Sequence, residues 1–378
     1  MKLRILIHPV VCFLLTWSCS TGRFVPESAD TSAAWPMFRG DPGRTGYVPI
    51  TTPIPSLLWK YKTGGAVVSS PAIAHGLLYV GSWDKKVYIL NPLNGKRVSR
   101  IRLKGSISSS PTVDREKLFV GCEYRDNRLY AFDALSGRML WKMKAWDIFS
   151  SPVTAGDVLL FGSGDGNVYA VTADSGRVLW TFETGAAVRS SPAIAGGLVY
   201  AGSMDRRIYA LDVTTGAVAW EFETRGSIDS SPAIRGNTLC IGSADSTLYA
   251  LDASQGRLMW SFRTGGSIHS SPALDDSACY IGSYDGRLYA LDLSSGHLLW
   301  TWNTDSIIHS SPAVSHNAVF VGAHSGSLSM LDKRNGTLMW HYTTDRSISS
   351  SPALTPAGVY VGSKDGHVYA FGFQRAVR

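Results

Sequence analysis

Apolar residues in this chain occur in short runs that are separated by turn-forming residues. In one 40-residue stretch, the segments 190–194, 197–203, 207–211 and 218–223 mix β-branched, aromatic and small apolar residues, which is typical of strands. Apolar residues do not repeat every three to four positions as they do in an amphipathic helix. The pattern therefore predicts an all-β protein with four short strands, A to D, in each unit.

A Ser-Ser-Pro triplet begins each of these units. It recurs eight times, and successive prolines are 40 or 41 residues apart: Pro71, Pro111, Pro152, Pro192, Pro232, Pro272, Pro312 and Pro352. Four strands in a repeat of this length predict the blade of a β-propeller. Proline has no amide hydrogen and is tolerated at the edge or the start of a strand. The triplet therefore marks strand A, the innermost strand of each blade.

Two further motifs recur in the units. Asp-Gly pairs such as Asp165-Gly166 indicate tight hairpins between strands B and C, because Gly accepts a positive φ at no steric cost. The series Asp212, Gly216 and Trp220 recurs with the same spacing in other units. It predicts a turn between strands C and D, followed by a ring that fills the wedge between neighbouring blades. We therefore assign these repeated residues structural rather than catalytic roles.

The two ends of the repeat region complement each other. Residues 57–63 match a strand D that has no strand A, B or C before it, and the last unit stops after its strand C. The N-terminal strand should therefore complete the eighth blade and remove an exposed edge. The predicted fold is an eight-bladed β-propeller of four-stranded antiparallel blades over residues 35–378.

Residues 1–18 are predicted to be a signal peptide. Lys2 and Arg4 give a basic start, an apolar stretch follows as far as Trp17, and small or polar residues come next. The stretch is too short to span a bilayer comfortably. Residues 15–19 resemble a bacterial lipobox, which implies lipid attachment to Cys19 and a tether over residues 19–34; cleavage without lipidation is the alternative. We expect a periplasm-facing lipoprotein of the outer membrane.

The charge and the cysteine content do not alter the predicted fold or location. The formal net charge is +7, and the removable segment contributes part of it. No run of Lys or Arg is interleaved with aromatic residues, so nucleic-acid binding is not predicted. We interpret Cys122, Cys240 and Cys279 as small buried apolar residues rather than as disulfide or metal-binding residues. Cys240 and Cys279 should point to opposite faces of their strands in neighbouring blades.

The repeat units resemble a known family. Residues 248–252 with Gly256 and Trp260, together with the leading residues 35–40 (Trp-Pro-Met-Phe-Arg-Gly), are similar to the repeat family named after pyrroloquinoline quinone (PQQ). The resemblance covers about residues 35–372. This family contains quinoprotein dehydrogenases and also cofactor-free propellers, among them an eight-bladed lipoprotein of outer-membrane assembly. The resemblance therefore implies either an oxidoreductase or a binding scaffold.

The resemblance implies that a dehydrogenase of this family would use an adjacent Cys-Cys pair, a Ca²⁺ site and an Asp base. The sequence has no Cys-Cys dipeptide and no C-x-x-C-H haem motif, and most of its Asp residues recur in turns. We therefore predict a monomeric, non-catalytic scaffold without cofactor or metal. Its expected partner is an envelope protein of outer-membrane β-barrel assembly. A PQQ-dependent dehydrogenase or a small-ligand-binding propeller is the alternative.

Recognition residues should lie where the blades differ. Strands alternate in direction, so the D-to-A loops and the B-to-C turns emerge on one face. On this face, the residue three positions before each repeat proline varies: Val68, Ser108, Phe149, Arg189, Asp229, His269, His309 and Ser349. Large aromatic residues also fall in its turns and loops, and aromatic residues and Arg dominate interfaces.

The predicted partner-binding residues are Trp83, Tyr124, Trp146, Phe149, Arg189, Asp229, His269, Tyr284 and His309. The alternative for Trp146 and Phe149 is that they fill a gap in the third blade. A metal site at Asp229, His269 and His309 is not favoured, because strong zinc motifs have tighter spacing.

Overall fold

The computed structural model describes residues 34–373. These residues form eight four-stranded antiparallel sheets arranged around a central channel, which confirms the predicted fold. In this part of the chain, no helix is long and apolar enough to cross a membrane. The predicted signal peptide, Cys19 and the tether up to residue 33 lie outside the described residues.

Thirty-two strands make up the blades, which we number from the first Ser-Ser-Pro triplet. The N-terminal strand is β1 (Pro55–Lys62). Blade 1 contains β2 (Ala72–Ala74), β3 (Leu77–Ser82), β4 (Lys86–Leu90) and β5 (Arg97–Arg102). Blade 2 contains β6 (Thr112–Asp114), β7 (Lys117–Cys122), β8 (Arg128–Asp133) and β9 (Met139–Lys144). Blade 3 contains β10 (Val153–Ala155), β11 (Val158–Gly162), β12 (Asn167–Thr172) and β13 (Val178–Glu183).

The remaining blades repeat this arrangement. Blade 4 contains β14 (Ala193–Ala195), β15 (Leu198–Gly202), β16 (Arg207–Asp212) and β17 (Val218–Glu223). Blade 5 contains β18 (Ala233–Arg235), β19 (Thr238–Gly242), β20 (Thr247–Asp252) and β21 (Leu258–Arg263). Blade 6 contains β22 (Ala273–Leu274), β23 (Ala278–Gly282), β24 (Arg287–Asp292) and β25 (Leu298–Asn303). Blade 7 contains β26 (Ala313–Val314), β27 (Ala318–Gly322), β28 (Ser327–Asp332) and β29 (Leu338–Thr343). Blade 8 contains β30 (Ala353–Thr355), β31 (Gly358–Gly362), β32 (His367–Phe373) and, as its strand D, β1.

Ring closure follows the prediction. Strand β1 pairs antiparallel with β32, and Pro55 lies opposite Phe373 while Lys62 lies opposite His367. The eighth blade therefore takes its outermost strand from the beginning of the chain, which removes one open edge.

A ring of serines satisfies the inner edge of the blades. Strand A has no strand on its channel side, so its backbone N–H groups need other acceptors. The N–H of Ser191 donates to Oγ of Ser231 at 2.9 Å, and the N–H of Ser231 donates to Oγ of Ser271 at 2.9 Å. The second serine of every triplet makes this bond to the next blade, and the bond from Ser351 to Ser70 connects blade 8 with blade 1. Eight hydrogen bonds form a closed circle.

The Trp residues connect neighbouring blades near the C-to-D turns. Nε1 of Trp220 in blade 4 donates to the carbonyl of Ala253 in blade 5 at 2.9 Å. Its ring also covers Gly256, which has a φ of +70°, and a Cβ there would lie 2.6 Å from a ring carbon. The predicted wedge-filling role is confirmed. The same indole hydrogen bond is made by Trp59, Trp141, Trp180, Trp260 and Trp300.

The junction between blades 1 and 2 lacks this tryptophan. Ser99 stands at the equivalent position. The carbonyl of Ala134 instead accepts a hydrogen bond of 3.1 Å from the hydroxyl of Tyr79. This junction therefore keeps the hydrogen bond but lacks the large ring.

The Asp residues of the B-to-C turns also have structural partners. The hydroxyl of Tyr209 donates to Asp205 at 2.8 Å, and the same carboxylate accepts the N–H of Gly185 from the preceding D-to-A loop at 2.7 Å. The Tyr–Asp bond recurs in all blades except blade 7, where Ser325 and Ser329 stand at the two positions. The structural role predicted for these Asp residues is confirmed.

The leader, which we define as residues 35–52, closes the channel at the end where the A-to-B turns lie. The N–H of Trp35 donates to the carbonyl of Ile73 in blade 1 at 2.9 Å, and the N–H of Ile73 donates back at 2.8 Å. Further along, leader carbonyls accept N–H groups from the strands A of other blades: Val113, Ile194, Ile234, Leu274 and Val314. No repeat or motif in the sequence predicted that this segment would close the channel.

Two buried arginines hold the leader in place. The guanidinium of Arg39 donates to the carbonyls of Pro272 and Pro312, and that of Arg44 donates to the carbonyls of Pro192 and of residues 151 and 152. Burial lowers the pKa of each to about 9, so both remain cationic at neutral pH. Five N–H donors in a planar fork allow one arginine to reach several blades at once.

All three described cysteines are free and buried, as predicted. Cys240 points to one side of blade 5, and Cys279 points to the opposite side of blade 6. Because these two blades are neighbours, both side chains face the space between them. The two side chains therefore belong to one apolar cluster between these blades. Burial raises the pKa of the Cys279 thiol, and the adjacent Cys240 raises it further. The thiol of Cys279 is consequently protonated at neutral pH.

We expect Ser231→Ala to lower the free energy of unfolding by about 1–3 kcal/mol, because it leaves the N–H of Ser191 buried without its acceptor. Urea denaturation followed by circular dichroism measures the change. The control is Ser261→Ala on the outer strand β21 of the same blade, where the side chain is exposed and the expected change is within about 0.5 kcal/mol. Equal midpoints for the two variants would contradict a stabilising role for the serine ring.

Candidate functional site

The end of the channel opposite the A-to-B turns opens into a cavity of about 490 Å³, which we call the cup. Its walls come from the D-to-A loops and the B-to-C turns, and Phe38 of the leader contributes to its lining. We call this side of the molecule the cup face. A cavity of this volume lies within the range of small-molecule sites.

The predicted variable positions come together in the cup. All eight residues that lie three positions before a repeat proline line it, in agreement with the predicted channel mouth: Val68, Ser108, Phe149, Arg189, Asp229, His269, His309 and Ser349. Below them lies the serine ring described above. Each of these eight hydroxyl oxygens accepts one backbone N–H, but none donates its own hydrogen to another described residue. The lower part of the cup is therefore rich in hydroxyl donors.

A row of imidazoles forms one wall of the cup. The rings of His269 and His309 are nearly parallel with centroids 6.2 Å apart, and His324 continues the row 6.1 Å from His309. Nδ1 of His269 lies 3.1 Å from the carboxylate of Asp229. The ring of Tyr284 covers His269 at 4.5 Å. This wall presents aromatic faces and polar edges side by side.

Two polar atoms of this wall are buried without a hydrogen-bond partner among the described residues: Oδ1 of Asp229 and Nδ1 of His309. Burial lowers the pKa of His309 to about 4, and the neighbouring His269 adds to the shift. Burial is the largest influence and opposes the charged form of Asp229, but the hydrogen bond from His269 and the electrostatic attraction of neighbouring side chains, Arg189 among them, together outweigh burial and lower the carboxyl pKa. At neutral pH the wall therefore combines a carboxylate with a neutral imidazole.

The opposite wall is organised around Ser108. Nε1 of Trp83 donates to Oγ of Ser108 at 2.9 Å, and this hydroxyl donates to the carboxyl group of Glu123. Burial raises the pKa of Glu123, although the bond from Ser108 opposes the shift. Next to this group, the guanidinium of Arg189 lies 5.0 Å from the ring centroid of Phe149, a favourable cation–π geometry.

Three aromatic side chains stand on the rim beside this wall. Trp83 is 46% exposed, Tyr124 66% and Trp146 54%. The alternative that Trp146 fills a gap in the third blade does not agree with this exposure, because the ring extends into solvent. Tyr284, predicted as an exposed aromatic of the same face, is instead half-buried against His269. Of the nine predicted partner-binding residues, the two lying outside the cup lining are Tyr124 and Trp146.

The rim loops near these rings have unusual backbone conformations. Tyr124, Arg125, Asn127 and Asp147 all have positive φ values, which residues other than glycine seldom adopt. The carboxylate of Asp147 accepts the N–H of Tyr124 at 2.9 Å and thereby joins the two loops. Strained loops of this kind often occur at functional sites. Other loops of the cup face contain one such residue each, at Lys85, Arg206, Ser246 and Asp305, whereas four of them cluster in the loops beside Tyr124 and Trp146.

Sequence reasoning missed Phe38, His324 and Lys364, which also line the cup. The sequence did contain a signal for His324 and Lys364. The residue that follows Gly-Ser, Gly-Cys or Gly-Ala at the start of each B-to-C turn varies as strongly as the predicted positions. The role of Phe38 depends on the path of the leader, which no repeat indicates. Among residues 34–373, no group of three or more His, Cys, Asp or Glu side chains is placed to hold a metal ion.

The chemistry of the cup is that of recognition by hydrogen bonds and aromatic contacts. Hydroxyl donors and the cations of Arg189 and Lys364 suit acceptor groups, while the free atoms of Asp229 and His309 can receive or supply one further hydrogen bond each. The Asp229–His269 pair can also orient an imidazole for proton transfer.

Comparison with known proteins agrees with this geometry. A family model described as "Outer membrane protein assembly factor BamB" matches residues 54–147 and 125–262, and one described as "Beta-alanine-activating enzyme, beta-propeller" matches residues 198–377. The fold and the Ser-Ser-Pro repeat define a PQQ-like β-propeller. The chain belongs to the family of the outer membrane protein assembly factor BamB, and the expected resemblance is confirmed.

Solved structures share the fold over most of the chain. BamB from Moraxella catarrhalis is 20% identical, with a TM-score of 0.75 over 85% of this chain and 100% of that one. A quinohemoprotein alcohol dehydrogenase from Comamonas testosteroni is 14% identical, with a TM-score of 0.80 over 92% of this chain and 82% of that one. At these identities the likeness shows the fold alone.

Curated relatives match only a small part. The beta-alanine-activating enzyme of Homo sapiens is 38% identical over 88 residues, which are 21% of this chain and 8% of that protein. The corresponding enzyme of Danio rerio is 35% identical over 85 residues, or 7% of its length. This chain thus spans less than a tenth of the curated relatives it matches.

The low pKa of His309 makes stability depend on pH. The folded state keeps this imidazole neutral, whereas the unfolded chain protonates it near pH 6.5. We therefore expect the free energy of unfolding to decline as the pH falls from about 6.5 to about 4, by roughly 2 kcal/mol from this residue. Urea denaturation midpoints at about pH 6.5 and about pH 4 measure this decline in stability. His309→Gln should reduce it, whereas exposed His297→Gln should not. A decline that is unchanged in His309→Gln would contradict this assignment.

Proposed function

We propose that this chain is a non-catalytic, lipid-anchored scaffold of the bacterial envelope, which binds a protein partner of outer-membrane β-barrel assembly through its cup face. The observation that carries this proposal is the group of three exposed rings, Trp83, Tyr124 and Trp146, next to the cup. Tyr124 and Trp146 lie where the repeat changes in length, and Trp83 lies at the variable position of a B-to-C turn of ordinary length.

The rim has the properties of a protein-binding surface. Large aromatic residues and Arg dominate the binding energy of interfaces. Tyr and Trp bury much area at a small cost in side-chain entropy. The loops that carry these rings are connected by hydrogen bonds: the N–H of Tyr124 is bound by Asp147, and the carbonyl of Trp146 accepts the N–H of Gly164 at 2.7 Å. A preorganised surface loses less entropy on binding.

A scaffold also fits the remaining features better than a dehydrogenase does. The described cysteines lie in apolar clusters away from the cup lining, and no two are adjacent in the sequence. The repeated Asp residues of the B-to-C turns are engaged by tyrosines and loop N–H groups. Membership in the BamB family supports a role in outer-membrane assembly, and the lipobox-like residues 15–19 support an anchor at Cys19.

The anchor is tested by Cys19→Ser. We expect the unaltered protein to remain with membranes until detergent is added, and the variant to be exported in soluble form, because the thiol that would carry the lipid is gone. Cell fractionation shows whether each protein is membrane-bound or soluble, and mass spectrometry of the N-terminal peptide shows whether it carries lipid. An unaltered protein without lipid would disprove the anchor and leave the cup-face proposal unaffected.

Partner binding is tested by the double variant Trp146→Ala with Arg189→Ala. Losing one buried interface anchor typically costs about 2 kcal/mol or more, so affinity should fall by roughly 30-fold or beyond. The protein is immobilised and tested against envelope extract and then against purified assembly components. The fold should survive, since neither residue belongs to the serine ring or to the Trp–Gly contacts.

The matched control is Leu299→Ala with Arg334→Ala, both exposed on the side of the C-to-D turns. This pair should leave binding unchanged. Loss of binding in the control but not in the cup-face variant would contradict the proposal. Absence of any assembly component, combined with retention of PQQ by the purified protein on gel filtration, would favour the alternative of a ligand-binding or quinone-dependent propeller.

A further inference from the structure

The positive charge of the protein is concentrated in two blades. Residues 84–147, which cover most of blades 1 and 2, contain 14 Lys and Arg against 7 Asp and Glu. The other described residues contain 17 Lys and Arg against 20 Asp and Glu. One sector of the propeller is therefore strongly basic, and the rest is slightly acidic. The net charge of the whole chain conceals this difference.

The cations of this sector converge on the outside of the molecule. Strands β1, β5 and β9 are the outermost strands of blades 8, 1 and 2, which are neighbours in the ring. Their exposed cations, which we call the basic wall, are Lys60, Lys62, Arg97, Arg100, Arg102, Lys142 and Lys144. No Asp or Glu occurs on these three strands, whereas β13 and β17 in blades 3 and 4 carry Glu183, Glu221 and Glu223.

The charge of the basic wall is not compensated within the protein. Among the described residues, none of its seven cations forms an ion pair with a carboxylate; Arg97 donates to the hydroxyl of Tyr61 at 3.2 Å, and Lys144 lies near the ring of Trp146. On β17, by contrast, the carboxylates of Glu221 and Glu223 are paired with neighbouring arginines. The basic wall can therefore offer its full charge to a partner.

Protection of exposed strand edges does not explain this concentration. Lys and Arg on edge strands do discourage pairing with other chains. However, the five other outer strands of the propeller carry a single Lys or Arg in total, Arg263. Edges of the same kind thus have no Lys or Arg in blades 3, 4, 6 and 7 and only Arg263 in blade 5. The basic wall calls for a different explanation.

Two further observations indicate a lipid surface. Aliphatic side chains are exposed on these strands, where Leu57 is 42% exposed, Leu58 51% and Val98 37%; the outer strands of the other blades also expose aliphatic residues, but only on the basic wall do they lie beside several cations. The leader also enters the fold at this sector, because Trp35 pairs with Ile73 of blade 1, and the predicted lipid-bearing Cys19 precedes it in the chain. Cations next to aliphatic residues are typical of proteins that rest on anionic bilayers.

We propose that the basic wall binds a bilayer with anionic headgroups, so that blades 8, 1 and 2 face the membrane and the axis of the propeller lies along its plane. The cations contact headgroup phosphates, and the aliphatic residues of β1 and β5 rest at the headgroup level. This inference goes beyond the proposed function. It requires neither the lipid at Cys19 nor a partner on the cup face.

The test uses the exported Cys19→Ser protein, so that a lipid anchor does not mask weaker binding. Its partitioning onto vesicles that contain phosphatidylglycerol is compared with partitioning onto vesicles of phosphatidylcholine alone. We expect binding to the anionic vesicles only, and loss of that binding near 1 M salt, where the Debye length falls to about 3 Å. Adding Arg97→Gln, Arg100→Gln and Arg102→Gln should weaken binding by roughly 10- to 100-fold.

The matched control replaces three exposed arginines of blades 5 and 6, Arg257, Arg263 and Arg287, by Gln. It removes the same charge and should leave vesicle binding within about twofold if location rather than net charge decides. Equal losses in both triple variants, or equal binding to neutral vesicles, would overturn the proposal. Binding to poly-L-glutamate without binding to anionic vesicles would also overturn it and would assign the wall to an acidic protein segment.

Discussion

The fold depends on how the inner edges of eight separate sheets are satisfied where no further strand can pair with them. The proline of each triplet has no backbone N–H. The serine before it donates its backbone N–H to a serine hydroxyl of the neighbouring blade. Every blade is thereby bound to the next through the same atoms, and the circle is complete only when the eighth blade meets the first. The leader satisfies a second layer of donors.

The repeated contacts were predictable because each recurs about every 40 residues with the same local reason. The inner-edge proline, the Asp-Gly hairpins, the Trp wedge and the N-terminal closing strand could all be read from spacing. Contacts that occur only once in the structure could not be predicted from spacing. The path of Arg39 and Arg44 into the channel depends on carbonyls more than 100 residues away, and nothing near them in sequence reveals it. The eight variable positions were correctly placed, whereas the floor of the cup and the burial of Tyr284 emerged only from the assembled ring.

Residues that are the same in every blade and residues that differ between blades lie in different parts of this molecule. Residues that hold blades together face neighbouring blades or the inner edge, and they are nearly the same in every unit. Residues that differ lie at the mouth of the cup, on its rim and on the outer strands. The framework changes at the junction between blades 1 and 2, where the tryptophan is absent and Tyr79 donates the hydrogen bond to the carbonyl of Ala134, and in blade 7, where serines stand at the positions of the Tyr–Asp pair. The exposed rings and the concentration of cations occur in the same part of the ring as the first of these changes.

The leader gives the central channel a floor, and this has a kinetic consequence. A molecule that enters the cup can leave only by the opening through which it came, because Phe38 and the arginine-bound segment close the other end. A protein seated across the rim would cover that opening. Whatever occupied the cup at the moment of docking would then be released only after the protein had departed, and a ligand arriving later would be excluded. Order of arrival, rather than affinity alone, would determine which complexes form.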